Sequence, residues 1–186
     1  MLGLPYNRRV GLAKAADLFS DIGGLASLES VSRLQENTNT LQIYKGTVIG
    51  GGPNFPLNDG ECYFVRVDAG LALSYVVVGS HDPALAIDLA GPGGPALPDP
   101  GVSKSGQNMV ALPYHFAGSK ASDLLFDIGG TTVVGSVGRL VTSSDTIQIY
   151  KGTPIGPGPN FALTPSECYF VNMRGGAAVL WTPSHY

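Results

Sequence analysis

Ala15, Leu18, Phe19 and Ile22 recur at the i, i+3, i+4, i+7 spacing of one helix face. They predict a short helix over residues 14–22, and Gly23 stands where a left-handed C-terminal cap is wanted. Short runs of β-branched and aromatic residues then predict strands at 31–34, 41–44, 62–67 and 71–78, with a glycine-bearing hairpin turn at 68–70. The run from Leu71 to Val78 reads LALSYVVV and is apolar on both faces. A strand of that kind is normally covered on both sides, and left bare it invites edge pairing.

The whole pattern occurs twice. From Leu41 the chain reads LQIYKGTVIGGGPNFPLNDGECYFV, and from Ile147 it reads IQIYKGTPIGPGPNFALTPSECYFV. The match extends backward through Asp21-Ile22-Gly23-Gly24 against Asp127-Ile128-Gly129-Gly130, and Arg33-Leu34 against Arg139-Leu140. It reaches Leu4-Pro5-Tyr6 against Leu112-Pro113-Tyr114 once the first copy is allowed two extra residues after its tyrosine. Such self-similarity marks a repeated structural unit. The second copy predicts a helix at 121–128 and strands at 133–141, 147–150, 168–173 and 177–182. The expected architecture is mainly β, or α+β: two tandem strand–helix–multi-strand modules, sandwich or open barrel-like, each with one short helix. The modules occupy 1–78 and 109–186. The Gly-, Pro- and Ala-rich stretch 79–108 reads as a connector, expected to lie along the modules or a partner.

Only 13% of the residues are charged, about half the usual share, and the net charge is −3. So low a charge means that Ser, Thr, Asn, Gly and Pro cover the surface, or that a partner covers part of it. It also gives no electrostatic case for nucleic acid. No window approaches the apolar length of a transmembrane helix, and no basic region with a long apolar run opens the chain, so neither membrane insertion nor classical export is expected.

The pattern Leu-Pro-Tyr … Asp-Ile-Gly … Pro-Asn-Phe-x-Leu-x-x-x-Glu-(small)-Tyr-Phe-Val resembles short β-rich modules of secreted and surface-exposed bacterial proteins. In those modules the segment before the last hairpin usually reads Pro-Gly-Glu-Gly-Tyr. Here Gly60-Glu61-Cys62-Tyr63 and Ser166-Glu167-Cys168-Tyr169 occupy it. The resemblance covers both copies but not the connector, and implies a fold with no catalytic residues to carry over. The expected departures are the missing export signal and neighbouring domain.

Cys62 and Cys168 sit at equivalent positions, and equivalent sites in two modules need not meet. They are expected to be reduced, each buried in its own core as a small hydrophobe. Glu61 and Glu167 each stand beside a turn and read as acceptors that tie it down. Asp17 with Asp21, and Asp123 with Asp127, share a helix face that reads as solvated. His81, His115 and His185 have no partners at metal-ligand spacing. The glycines at 50–52 lead into Pro53-Asn54-Phe55 and not into a helix, which argues against a phosphate loop. No nucleophile motif stands out. No catalytic, cofactor or metal residue is therefore expected.

The reading that follows is a non-enzymatic structural protein of an ordered surface assembly, most concretely a phage virion decoration or cement protein at the virion surface. Its partners would be other protein subunits, its own or those of a lattice. The alternative is a cell-surface adhesion or glycan-binding module of an extracellular protein, with Tyr44, Tyr150 and Phe55 as candidate stacking residues. The residues expected at the interface are Arg8, Arg9, Leu71, Leu73, Tyr75, Val77, Pro92, Pro95, Pro98 and Trp181.

Overall fold

A computed structural model describes the chain except residues 5, 6, 9, 10, 36–39, 48, 81, 94–105, 177 and 186 and the side chains of residues 7 and 8. Arg9, Pro95, Pro98 and His81, and the side chain of Arg8, thus lie outside the described residues. The first half contains β1 (Leu2–Gly3), β2 (Asn7–Arg8), α1 (Ala15–Ile22), β3 (Leu28–Gln35), β4 (Thr40–Tyr44), β5 (Cys62–Val67) and β6 (Gly79–Ser80). Then follow β7 (Ile87–Leu89), β8 (Gln107–Ala111), α2 (Ala121–Ile128), β9 (Val134–Val141), β10 (Thr146–Tyr150), β11 (Cys168–Met173) and β12 (Val179–Trp181). Among the described residues the fold is mainly β, with antiparallel pairing throughout the named sheets, two short α-helices and a 3-10 turn at Gly24–Ala26. One four-stranded sheet runs β1-β5-β3-β4 and the other β10-β9-β11-β8.

Eight-residue helices are marginal alone, so their free amides need partners. Lys14 and Lys120 stand at the N-caps, and a lysine side chain cannot accept a hydrogen bond. The acceptors come from elsewhere. Asp17 reaches back to the amides of Ala13 and Lys14, and Asp123 to those of Ser119 and Lys120. The Phe55 carbonyl accepts from the Ala15 amide, and Asn54 Oδ1 accepts from the Ala16 amide at 2.9 Å. Phe161 and Asn160 do the same for Ala121 and Ser122. The Pro-Asn-Phe motif is therefore a helix cap supplied from 38 residues further along. Its phenylalanine also stacks on a buried tyrosine, Phe55 on Tyr63 and Phe161 on Tyr169, both at 6.2 Å. Arg33 and Arg139 lie over the rings of Phe55 and Phe161, 5.1 and 4.8 Å from the centroids.

The stretch 79–108 contributes strands of its own. Gly79–Ser80 pairs with β2, and Ile87–Leu89 pairs with β12. Leu89 and Ala90 are fully buried, Leu89 among the core residues of the second half. Glycine and proline content hid this, because the apolar run Ala84–Ala90 is short and bounded by turn residues. Asn108 fastens it: wholly buried, it accepts from the Ala90 amide at 2.7 Å and donates to the Ala90 carbonyl at 3.1 Å. Residues 71–78 do not form the expected strand; the chain there has no regular ladder.

The two cysteines form a disulfide, which overturns the expectation of separate reduced thiols. Their Cα atoms are 5.8 Å apart and their separation is 106 residues. The two sheets pack by their outer faces, so that equivalent residues meet in pairs. Cys62 meets Cys168, and the rings of Phe64 and Phe170 lie 6.5 Å apart. Met109, Ala111 and the partly buried Met1 and Leu34 complete this small inter-sheet core. In the ladders Gly3 faces Cys62 and Ala111 faces Cys168. A Cβ on Gly3 would collide with the Cβ of Ala111 and the backbone carbonyl of Ser166, so this close approach of the two halves needs a glycine at position 3. The Ala111 amide donates to the Gly60 carbonyl at 2.8 Å, adding a backbone link between halves.

Native protein is expected to show no titratable thiol with Ellman's reagent. Reduction should lower unfolding free energy by about 2–5 kcal/mol, read from denaturant midpoints with and without dithiothreitol. Two free thiols in the denatured, unreduced chain would contradict the bond. Asn108→Ala should cost about 1–3 kcal/mol in the same measurement, because it strands the buried Ala90 amide and carbonyl.

Candidate functional site

The carboxylates that could have carried acid–base chemistry are engaged in holding the fold. Tyr63 donates its hydroxyl to Glu61 at 2.6 Å and accepts the Asn58 amide at 2.7 Å. Tyr169 donates to Glu167 at 3.1 Å and accepts the Thr164 amide at 2.7 Å. The glutamates thus tie down the turn by accepting from the tyrosine hydroxyl, and Glu61 also accepts from the Asn58 side-chain amide at 2.8 Å. Burial, with the Glu61 carboxylate beside it, holds the Tyr63 hydroxyl far above the ordinary tyrosine range. Burial, with Glu167 nearby, pushes Tyr169 up to about 12. Backbone hydrogen bonding from Ser119 holds the Asp123 carboxyl below its usual value.

The second aspartate of each helix is not simply solvated. Asp21 accepts from the Tyr75 hydroxyl at 2.6 Å, and Asp127 accepts from Trp181 Nε1 at 2.7 Å. Both bonds pin the last segment of a half onto its helix. The Asp-Ile-Gly motif was visible in the sequence, but its partner sits 54 residues away and nothing in local spacing marks it. Among the described residues, no group of three His, Cys, Asp or Glu side chains could hold a metal ion. No described helix is long and apolar enough to cross a membrane.

The surface is more informative. β4 and β10 are the outer strands of their sheets. Strand alternation puts Leu41 and Ile43 on one face of β4, and Ile147 and Ile149 on the same face of β10. All four are exposed. Leu41 pairs across the ladder with Leu34, and Ile43 with Ser32, whose other neighbour is Phe64. Leu34 and Phe64 belong to the inter-sheet core, so the exposed residues extend that packed face outward. Each outer strand leads into a loop whose tip isoleucine, Ile49 or Ile155, is 92% exposed. The loop folds back because Gly52 and Gly158, both at φ 75°, run against the backbone of Ile43 and Ile149, where a Cβ would collide. The amides of Lys45 and Lys151 close it onto the carbonyls of Gly51 and Pro157, each at 2.7 Å. Each half thus presents an apolar stripe on its outer strand, Leu41 and Ile43 or Ile147 and Ile149, and a further exposed isoleucine at the loop tip, Ile49 or Ile155.

The expected interface residues divide. Leu71 and Leu73 are exposed, while Tyr75 and Val77 pack partly against the first core. Pro92 is half-buried. Trp181 is 2% exposed and sits in the second core, so it cannot form a free interface. The stripes themselves were not singled out, because alternation alone does not tell which sheet face meets the sister sheet. Of the candidate stacking residues, Phe55 is buried, and Tyr44 and Tyr150 are half-buried against their cores.

No family model, curated protein or solved structure matches the chain.

The raised tyrosines set an alkaline limit. An unfolded tyrosine ionises near 10, whereas Tyr169 in the fold resists to about 12. Stability is therefore complete below about pH 10 and falls as pH climbs from 10 toward 12. Urea midpoints across this window should decline, with the loss smaller in Tyr169→Phe. A midpoint that stays flat to pH 12 would contradict it.

Proposed function

We propose that the chain is a non-enzymatic structural protein of an ordered surface assembly, most concretely a virion decoration or cement protein. The observation that carries this is the pair of apolar stripes on β4 and β10 with their loop tips. Contiguous exposed apolar surface marks interaction sites, and a soluble chain low in charge does little to mask it. Two like stripes on one disulfide-linked chain make the protein bivalent. Bivalent attachment gains avidity when both sites are spaced to engage at once, as on a regular lattice. The disulfide supports surroundings that are oxidising, such as a virion or cell surface. The resemblance to bacterial surface modules supports the same setting. The glycan-binding alternative loses support, because its stacking residues are packed into or against the cores.

Ile43→Asp combined with Ile149→Asp should leave thermal stability nearly unchanged, as surface substitutions usually cost within about 0.5 kcal/mol. The same pair should abolish self-association in light scattering, or co-sedimentation with the particle that carries the protein. Single substitutions should weaken attachment much less than the pair together. Wild-type chain that stays monomeric at high concentration and fails to co-sediment, or a doubly substituted chain that attaches as well as wild type, would overturn the reading.

A further inference from the structure

The seam between the halves holds a cleft of about 560 Å³, within the usual size of a ligand pocket, roughly 300–1,000 Å³. The first half contributes residues 2–4, 75–77, 79 and 80 to its lining, and the second half contributes residues 111–115 and Ser166. Gly3 and Ala111, where the halves come closest, are both part of that lining. No residue of the stripes on β4 and β10 lines it.

The lining mixes two kinds of group. Leu2, Leu4, Val76 and Val77 are apolar, whereas Ser80, Tyr114, His115 and Ser166 carry hydroxyls or an imidazole. Tyr75 lies between these classes, its hydroxyl already given to Asp21 at 2.6 Å. Among the described residues that line the cleft there is no Asp, Glu, Lys or Arg. A charged ligand would leave water there with no opposite charge to meet it. A purely aliphatic ligand would cover the polar groups without answering them. A neutral molecule with an apolar face and a rim of hydroxyls suits both kinds of group, and a sugar ring has that character. Two residues sharpen the match. Tyr114 is 67% exposed, and its ring stands at right angles to that of His115, 5.0 Å away. Such a tyrosine offers an apolar ring and a polar tip together. Ser166 sits at φ 66°, where a side chain is strained, although the equivalent turn of the first half has Gly60 at φ 74°. Residues held in such conformations cluster at ligand sites.

We propose that this cleft binds a neutral oligosaccharide, with one sugar ring laid on Tyr114 and its hydroxyls met by Ser80, His115 and Ser166. The apolar side chains from the first half cover the remaining ring faces. Tyr44, Tyr150 and Phe55 take no part, so the site is a different one from that expected of those residues. The proposal goes beyond the assembly reading: it gives an assembly protein a carbohydrate site at its seam, and it holds or fails whatever the stripes bind.

The test titrates the full-length disulfide-bonded chain with neutral trisaccharides built on glucose, galactose, mannose and N-acetylglucosamine, followed by amide NMR. At least one of them should shift the amides of Ser80, Tyr114, His115 and Ser166 saturably at millimolar concentration, leaving those of Leu41, Ile43, Ile147 and Ile149 in place. Tyr114→Ala, at an exposed position, should weaken binding by about tenfold or more with the melting temperature retained. Ser166→Gly should also weaken binding while the melting temperature holds or rises, because glycine relieves the turn. A serine serving the fold alone would not move the affinity. The proposal is overturned if none of the four trisaccharides gives a saturable shift, or if the shifts are confined to the stripes. It is also overturned by unchanged binding in Tyr114→Ala or Ser166→Gly. Tighter binding of anionic sialyllactose, or of the apolar peptide trileucine, at the same amides would overturn it as well.

Discussion

The contact between Cys62 and Cys168 fixes how the two halves meet. Equivalent residues touch their own counterparts only near a local twofold axis, as in an isologous interface. The disulfide lies there, flanked by the Phe64–Phe170 pair and the Gly3–Ala111 approach. Everything outward of it follows. Because the outer faces are joined at β1, β5, β8 and β11, the far strands β4 and β10 carry the remaining apolar face into solvent, one stripe per half. The two stripes therefore have a fixed relation to each other, which a flexible connector between independent modules would not give.

The fold was legible where a signal was local or repeated. The helix stripe of Ala15, Leu18, Phe19 and Ile22, and the 62–67 and 168–173 strands, could be read from periodicity, and the repeat placed them twice. What escaped the sequence was set by long-range geometry. Cysteines at equivalent positions meet only if the twofold runs between them, and a one-dimensional pattern contains no axis. Ile87–Leu89 was hidden inside glycine and proline, although it supplies a strand and a core residue. Leu71–Val78 was read as a two-faced strand from composition, but it forms no regular ladder, whereas its counterpart in the second half becomes β12 beside β7.

The candidate sites show the same division. Leu71 and Leu73 were picked out by apolar character and do lie exposed. Trp181 was picked out by the same rule and lies buried, held by Asp127. Composition marks a residue that needs covering; only packing decides whether the chain covers it itself. The isoleucines at 43, 49, 149 and 155 went unremarked because strand alternation and glycine loops are ordinary features until the buried side of the sheet is known.

The long-range helix cap has a consequence for how the chain is made. Each helix has its first amides answered by an asparagine and a phenylalanine about 38 residues downstream. An emerging chain is lengthened at about 5–20 residues per second. For roughly two to eight seconds after the α1 residues are polymerised, the partners that finish the helix have yet to be added. The groups that finish the helix cap are thus made well after the helix itself, and the cap closes only when the Pro-Asn-Phe loop reaches back over it.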